Sequence, residues 1–174
     1  MGRVLCGGMK SAWACALMVA LTVAVSGCFG PGESVIPVLN WSLAAKDWTT
    51  TSYVDHALFP GQGLGYTARP GYEWLVIGVA VSNTSGRTQN LNPFIYEMRF
   101  VPASGLIYTN QLALYDPIGG LAWSDVQPWQ TIYGDVFFEV PAGTTVQGAR
   151  LVLYDTIEHA SCAISLGDLP RRQN

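Results

Sequence analysis

An all-β domain, an immunoglobulin-like antiparallel β-sandwich preceded by a helical signal peptide, is the fold class predicted by the sequence, on three observations. Past residue 34, apolar residues recur with period two in short runs, the spacing that puts alternate side chains on one face of a strand. Clusters of Gly, Pro, Asn and Ser separate these runs, and such clusters make turns. Outside the leader no window of comparable length carries a helical stripe, so strands have only strands to pack against. Two segments, 44–56 and 111–121, are undecided.

The leader is justified first. Arg3 and Lys10 form a basic start, and residues 11–25 (SAWACALMVALTVAV) are uncharged and apolar. A bilayer span needs about 20 apolar residues, whereas the core of an export signal needs about 7 to 15. Val25-Ser26-Gly27-Cys28 then resembles the lipobox of bacterial lipoproteins, in which lipid is attached to the cysteine thiol and the peptide is cut just before it. Cys28 is therefore the expected lipidation site, which places residues 1–27 as signal peptide and makes the lipid bilayer the first expected partner. An ordinary cleaved signal is an alternative, as is an uncleaved anchor helix, since the uncharged run extends from residue 11 to 32. Myristoylation at Gly2 is excluded, because the sixth position is Cys6 rather than Ser or Thr.

Residues 28–34 (CFGPGES) form the expected tether, with Gly and Pro after the cysteine. The sandwich is expected over 35–174. The whole chain of 174 residues fits one domain plus a leader. With 49% hydrophobic and 12% charged residues it can build a core and is not a disordered chain. Loss of Arg3 and Lys10 with the leader leaves 7 basic against 12 acidic residues, a net charge of −5. That balance argues against nucleic acid as a partner. Of the four cysteines, Cys6 and Cys15 leave with the leader and lipid occupies Cys28, so Cys162 is expected as the remaining thiol. A Cys28–Cys162 disulfide is the competing reading, and it requires an unlipidated Cys28.

The strands follow in order. Residues 73–83 (EWLVIGVAVSN) direct Leu75, Ile77, Val79 and Val81 to the core, and Asn83-Thr84-Ser85-Gly86 ends the run. Residues 94–101 alternate Phe94, Tyr96, Met98 and Phe100 against Ile95, Glu97 and Arg99. A turn at 102–105 leads into a partner strand around 106–109. Ile132, Gly134, Val136, Phe138 and Val140 alternate with outward Tyr133, Asp135 and Glu139 until Pro141 stops the strand. The last clear strand is 149–154.

These runs carry a family resemblance. Residues 74–85 (WLVIGVAVSNTS), Asn92-Pro93-Phe94, Ser104-Gly105 before a Tyr, and residues 134–141 (GDVFFEVP) follow one order and spacing. They are similar to a family of bacterial lipoprotein domains of unknown function that carries a telomeric repeat-binding factor label. The resemblance spans about 35–155 and implies an immunoglobulin-like sandwich, similar to that of a secreted mycobacterial immunogenic antigen, in an exported compartment. It brings no catalytic residues. The chain departs from the family's Pro-Gly before the penultimate strand, where its turn reads Gln127-Pro128-Trp129-Gln130.

Chemistry is sparse. His56 and His159 are the only histidines, and a metal site would need Asp55, Asp155 or Glu158 to complete it; no metal and no cofactor is expected. No Gly-x-Ser-x-Gly elbow occurs. Gly61-Gln62-Gly63-Leu64-Gly65 lacks the Lys-Ser/Thr ending of a phosphate loop. The sequons at Asn40 and Asn83 lapse in a bacterial lipoprotein. The tryptophans Trp41, Trp48, Trp123 and Trp129 fall outside clean alternating runs, and loop aromatics are what sugar and peptide sites present. Trp123 and Trp129 are the candidate ligand-binding residues, with burial of at least one expected, because rings in a small sandwich also plug the ends of its core. The function expected is a non-catalytic interaction or accessory role on the extracytoplasmic face of the cell membrane, with an envelope protein or glycan as partner. The alternative is an extracytoplasmic sugar- or peptide-binding protein.

Overall fold

The computed structural model describes residues 40–55, 65–111, 121 and 124–173. They form a β-sandwich without helices. One sheet has three strands in the order β1 (Trp41–Thr51), β4 (Tyr72–Asn83), β9 (Thr131–Pro141). The other has four, in the order β11 (Ser161–Ser165), β10 (Arg150–Asp155), β6 (Tyr96–Val101), β7 (Tyr108–Thr109). All pairings within these two sheets are antiparallel. Two short ribbons complete the architecture, β2 (Tyr53–Asp55) with β3 (Gly65–Thr67) and β5 (Gln89–Asn90) with β8 (Asp125–Val126).

The alternation read from the sequence sets the core. Leu75, Ile77, Val79 and Val81 of β4 are buried, as are Val136, Phe138 and Val140 of β9. From the facing sheet come Met98, Phe100, Leu151 and Leu153. Phe138 and Phe100 meet across the interior with centroids 5.8 Å apart and planes at 41°, an offset geometry that aromatic quadrupoles favour.

Strand β1 occupies most of the undecided segment 44–56, and its irregularity explains the indecision. Its register slips between Ala45 and Asp47, so Lys46 is the extra residue of a β-bulge. Trp41, Leu43 and Ala45 face the core before the slip, and Trp48 packs against it after. The inward phase switches from odd to even numbers, and no single period-two pattern spans the strand. Trp41 and Trp48 therefore lie on a strand rather than in loops.

Other details differ from expectation. Phe94 is not on β6 but precedes it and is exposed, because Phe94 N–H donates to Asn92 Oδ1 and Ile95 N–H to Asn92 O in a turn. Leu106 and Ile107 are likewise exposed, ahead of a β7 of two residues. Strand β11 lies beyond 149–154, the last strand clear in the sequence. It places Cys162 opposite Leu153 in the core, and Cys162 is disulfide-bonded rather than a free thiol. The remaining cysteines, Cys6, Cys15 and Cys28, lie outside the described residues.

Candidate functional site

Two places on the sandwich gather polar or exposed groups. The first is a cleft of about 220 Å³ on the outer face of the three-stranded sheet, lined by Lys46, Asp47, Gly78, Tyr133, Asp135 and Arg172 among others. The bulge makes it: by absorbing Lys46 it turns Asp47 outward, opposite Gly78, while Lys46 Nζ lies 5.3 Å from the Tyr133 ring centroid. Arg172 arrives from the C-terminal segment, which runs along the free edge of β1. Trp48 N–H donates to Pro170 O at 3.1 Å, and Arg172 N–H to Trp48 O at 2.6 Å. The guanidinium then donates to Asp135 Oδ1 and Oδ2 at 2.8 and 3.0 Å and to Asp47 Oδ1 at 2.5 Å.

Hydrogen bonds donated to Asp135 and Asp47 hold the Arg172 guanidinium well above its usual pKa range, against the opposing effect of partial burial. Its charge is fixed throughout the pH range in which a protein folds. A Cβ at Gly78 would lie 2.6 Å from Asp47 Oδ1 and 2.8 Å from Arg172 Nη2, so a larger residue there would displace the ends of these two side chains. All three charged side chains are about a third exposed, where such pairs contribute at most about 1 kcal/mol. The cluster clasps the C-terminal segment to β1. Its charges face each other across Gly78.

The second place is the pole of the sandwich where the described chain begins. Thr84 N–H donates to Asn40 O, and Trp129 N–H to Asn83 O. Trp41 meets Tyr96 edge-on, centroids 5.8 Å apart, joining the two sheets at this end. Burial pushes the Tyr96 phenol above its ordinary pKa, the Trp41 indole opposes the shift, and the Asp155 and Glu158 carboxylates add to it. Asn83 organises the pole: buried, it donates from Nδ2 to Arg87 O at 2.7 Å and Val126 O at 2.9 Å and accepts from Ser85 N–H and Oγ–H at Oδ1.

Of the predicted ligand residues, Trp129 stands on this pole and is 73% exposed. Trp123 and Cys28 lie outside the described residues, so the expected burial of one of the two rings now rests on Trp123. Trp41 is buried, with no hydrogen-bond partner for Nε1 among the described residues. Trp48 and Trp74 donate to Leu169 O and Tyr66 O. Asp155 serves a turn, its Oδ1 accepting from Ile157 and Glu158 N–H, and His159 Nδ1 lies 2.8 Å from Tyr154 Oη. His56 is outside the described residues, and among those described no group of three His, Cys, Asp or Glu side chains is placed to hold a metal ion.

Trp129 also has a backbone φ of 63°. It follows Pro128 in the turn closed by Gln130 N–H to Gln127 O at 3.0 Å, and a positive φ after proline is the type II arrangement, whose third position favours Gly. A non-glycine residue there costs about 1 to 2 kcal/mol, while glycine gives back about 0.4 to 1 kcal/mol through its freer unfolded chain. Trp129→Gly is expected to raise the unfolding free energy by about 0.5 to 1 kcal/mol in urea denaturation. A loss of stability would show that the ring packs against the fold.

The family described as domain of unknown function (DUF4352) matches residues 46–158. No curated protein matches the chain. Among solved structures, the yjhA protein from Bacillus subtilis is similar at a TM-score of 0.50 and 11% identity, over 72% of this chain and 91% of that one. A conserved hypothetical protein from Bacillus anthracis reaches 0.47 at 13% identity over 72% and 87%. An uncharacterized β-sandwich protein from Clostridium difficile 630 reaches 0.40 at 14% identity over 76% and 88%.

Proposed function

Since the chain belongs to the DUF4352 family of unknown function and is built on a β-sandwich, we propose that it is an extracytoplasmic lipoprotein, anchored through Cys28, with a non-catalytic interaction or accessory role in the cell envelope. The observation that carries this reading is the lipobox-like Val25-Ser26-Gly27-Cys28 after a basic start and a short apolar run. The resemblance to the lipoprotein family labelled as telomeric repeat-binding factor points the same way. The described charged clusters support a non-catalytic role, because Arg172 is closed on Asp47 and Asp135, Arg69 on Glu139 and Arg99 on Glu97. Fold likeness adds nothing on activity.

The disulfide at Cys162 defines the rival chemistry at Cys28. Once a leader carrying Cys6 and Cys15 is removed, Cys28 is the partner left for an internal bridge, and one sulfur cannot hold both a thioether and a disulfide. Cys28→Ser is expected to release the protein from membranes or leave an unprocessed precursor, whereas a melting temperature several degrees below wild type with no change in membrane retention would mark the loss of a Cys28–Cys162 bridge and count for the rival. Intact mass of the mature wild-type protein should carry the acyl groups. Membrane retention with normal processing, or a mass fitting an unacylated bridged chain, overturns the anchor.

A sugar- or peptide-binding protein would need several exposed rings converging on a concavity. Among the described tryptophans, Trp129 is exposed while Trp41 and Trp74 are buried and Trp48 is tied to Leu169.

A further inference from the structure

Three of the exposed apolar groups lie at the end of the molecule where the described chain begins, while Leu106 and Ile107 are exposed beyond the other end of β6. Trp129, Phe94 and Ile157 are 73%, 67% and 66% exposed, and all three sit at the pole where the described chain begins. The hydrogen bonds Thr84 N–H to Asn40 O and Trp129 N–H to Asn83 O connect the chain's entry to the Trp129 turn. On the other sheet, Thr156 N–H donates to Ile95 O and Thr156 Oγ–H to Phe94 O, which brings the Phe94 and Ile157 turns together. The Trp41–Tyr96 contact ties these two halves to one end.

Position 129 is a poor place for a tryptophan on grounds of folding alone. The backbone there favours glycine, and the ring gains little burial in return. Strain at an exposed position points to function. We propose that this pole, led by Trp129 with Phe94 and Ile157, rests in the interfacial layer of the bilayer that holds the Cys28 anchor.

The length of chain between anchor and fold supplies the argument for that occupant. Asn40 follows Cys28 by twelve residues, a length of chain that can span at most about 40 Å. The pole that receives this segment is therefore the part of the fold held nearest the lipid. Tethering raises the effective concentration of bilayer at the pole, so a contact too weak to bind from solution becomes populated. Tryptophan suits the layer, since its ring is apolar and its N–H can stay with headgroups and water. The charged residues exposed here, Asp125 and Glu158 against Arg87, do not select anionic lipid. The contact should form on zwitterionic phosphatidylcholine and resist salt.

The inference rests on the anchor proposed above, and its test separates the two. Mature full-length wild type, Trp129→Gly and the Phe94→Ser/Ile157→Ser double variant are purified from envelopes, checked by intact mass for acylation, and reconstituted into phosphatidylcholine vesicles with plain or brominated acyl chains. Brominated lipid should quench wild-type tryptophan emission well beyond that of Trp129→Gly, with an intermediate effect in the double variant, and aqueous iodide should quench the double variant, which keeps the Trp129 ring but holds it less firmly in the lipid, more than wild type. Equal brominated-lipid quenching of wild type and Trp129→Gly in acylated protein overturns the contact while the anchor stands. A protein that carries no acyl group fails by mass, and both readings fall. Trp129 shielded from iodide in native envelopes yet untouched by brominated lipid in vesicles assigns the pole to a protein or glycan partner and overturns the lipid contact.

Discussion

Truncating Phe138 to alanine is expected to lower the unfolding free energy by about 3 to 5 kcal/mol. The ring is fully buried, pairs through its backbone with Leu75, and meets Phe100 of the opposite sheet. Its removal opens a void between two sheets joined to separate hydrogen-bonded ladders, so neither can collapse freely into the space, and the cavity cost adds to the lost transfer energy. Because small domains are stable by about 5 to 15 kcal/mol in all, the variant should melt far below wild type. Phe137, one residue earlier, is half-buried on the outer face and is the matched control. Urea denaturation should give Phe137→Ala a clearly smaller loss, and equal losses would place the wrong face of β9 inward.

That experiment probes the part of the fold most open to reading from sequence. Strands β4, β9 and β10 run without a bulge, so one period holds throughout and the inward residues announce themselves. Strand β1 hid because one residue, Lys46, reverses its phase midway. Phe94 falls outside β6 because apolar alternation runs on past the strand's start, where Asn92 folds the chain into a turn instead. The two-residue strands β5, β7 and β8 are too short to carry any period. At the site the limit is distance along the chain: Arg172 meets Asp47 and Asp135 from 125 and 37 residues away, and no local pattern reports such a meeting. That Trp129 lies outside the strands is legible in the sequence, but its positive φ is a property of the folded turn.

Asn83 shows how much a single turn residue can conceal. From sequence it closes β4 with ordinary turn chemistry; in the fold it is 1% exposed and holds the loops of the Asn40 pole. Both Nδ2 hydrogens are spent on main-chain carbonyls, those of Arg87 and Val126. Asn83→Asp keeps the shape and removes both donors, setting a carboxylate oxygen against two carbonyl oxygens where water is excluded. An uncompensated buried charge of this kind costs about 3 to 5 kcal/mol. The introduced carboxyl can lessen the cost by taking up a proton and donating one bond, so its folded pKa should stand above the unfolded value near 3.9. That contribution is then fully present below about pH 4 and lost as pH rises through the folded pKa. Urea midpoints of the variant should fall below wild type at every pH, because the neutral carboxyl replaces one of the two lost donors, and the deficit should be clearly larger at pH 7 than at pH 4. A deficit independent of pH would mean that the carboxylate escapes to solvent, and with it the pole, since the chain segment bearing Asn83 also binds Asn40 and Trp129 through its main chain.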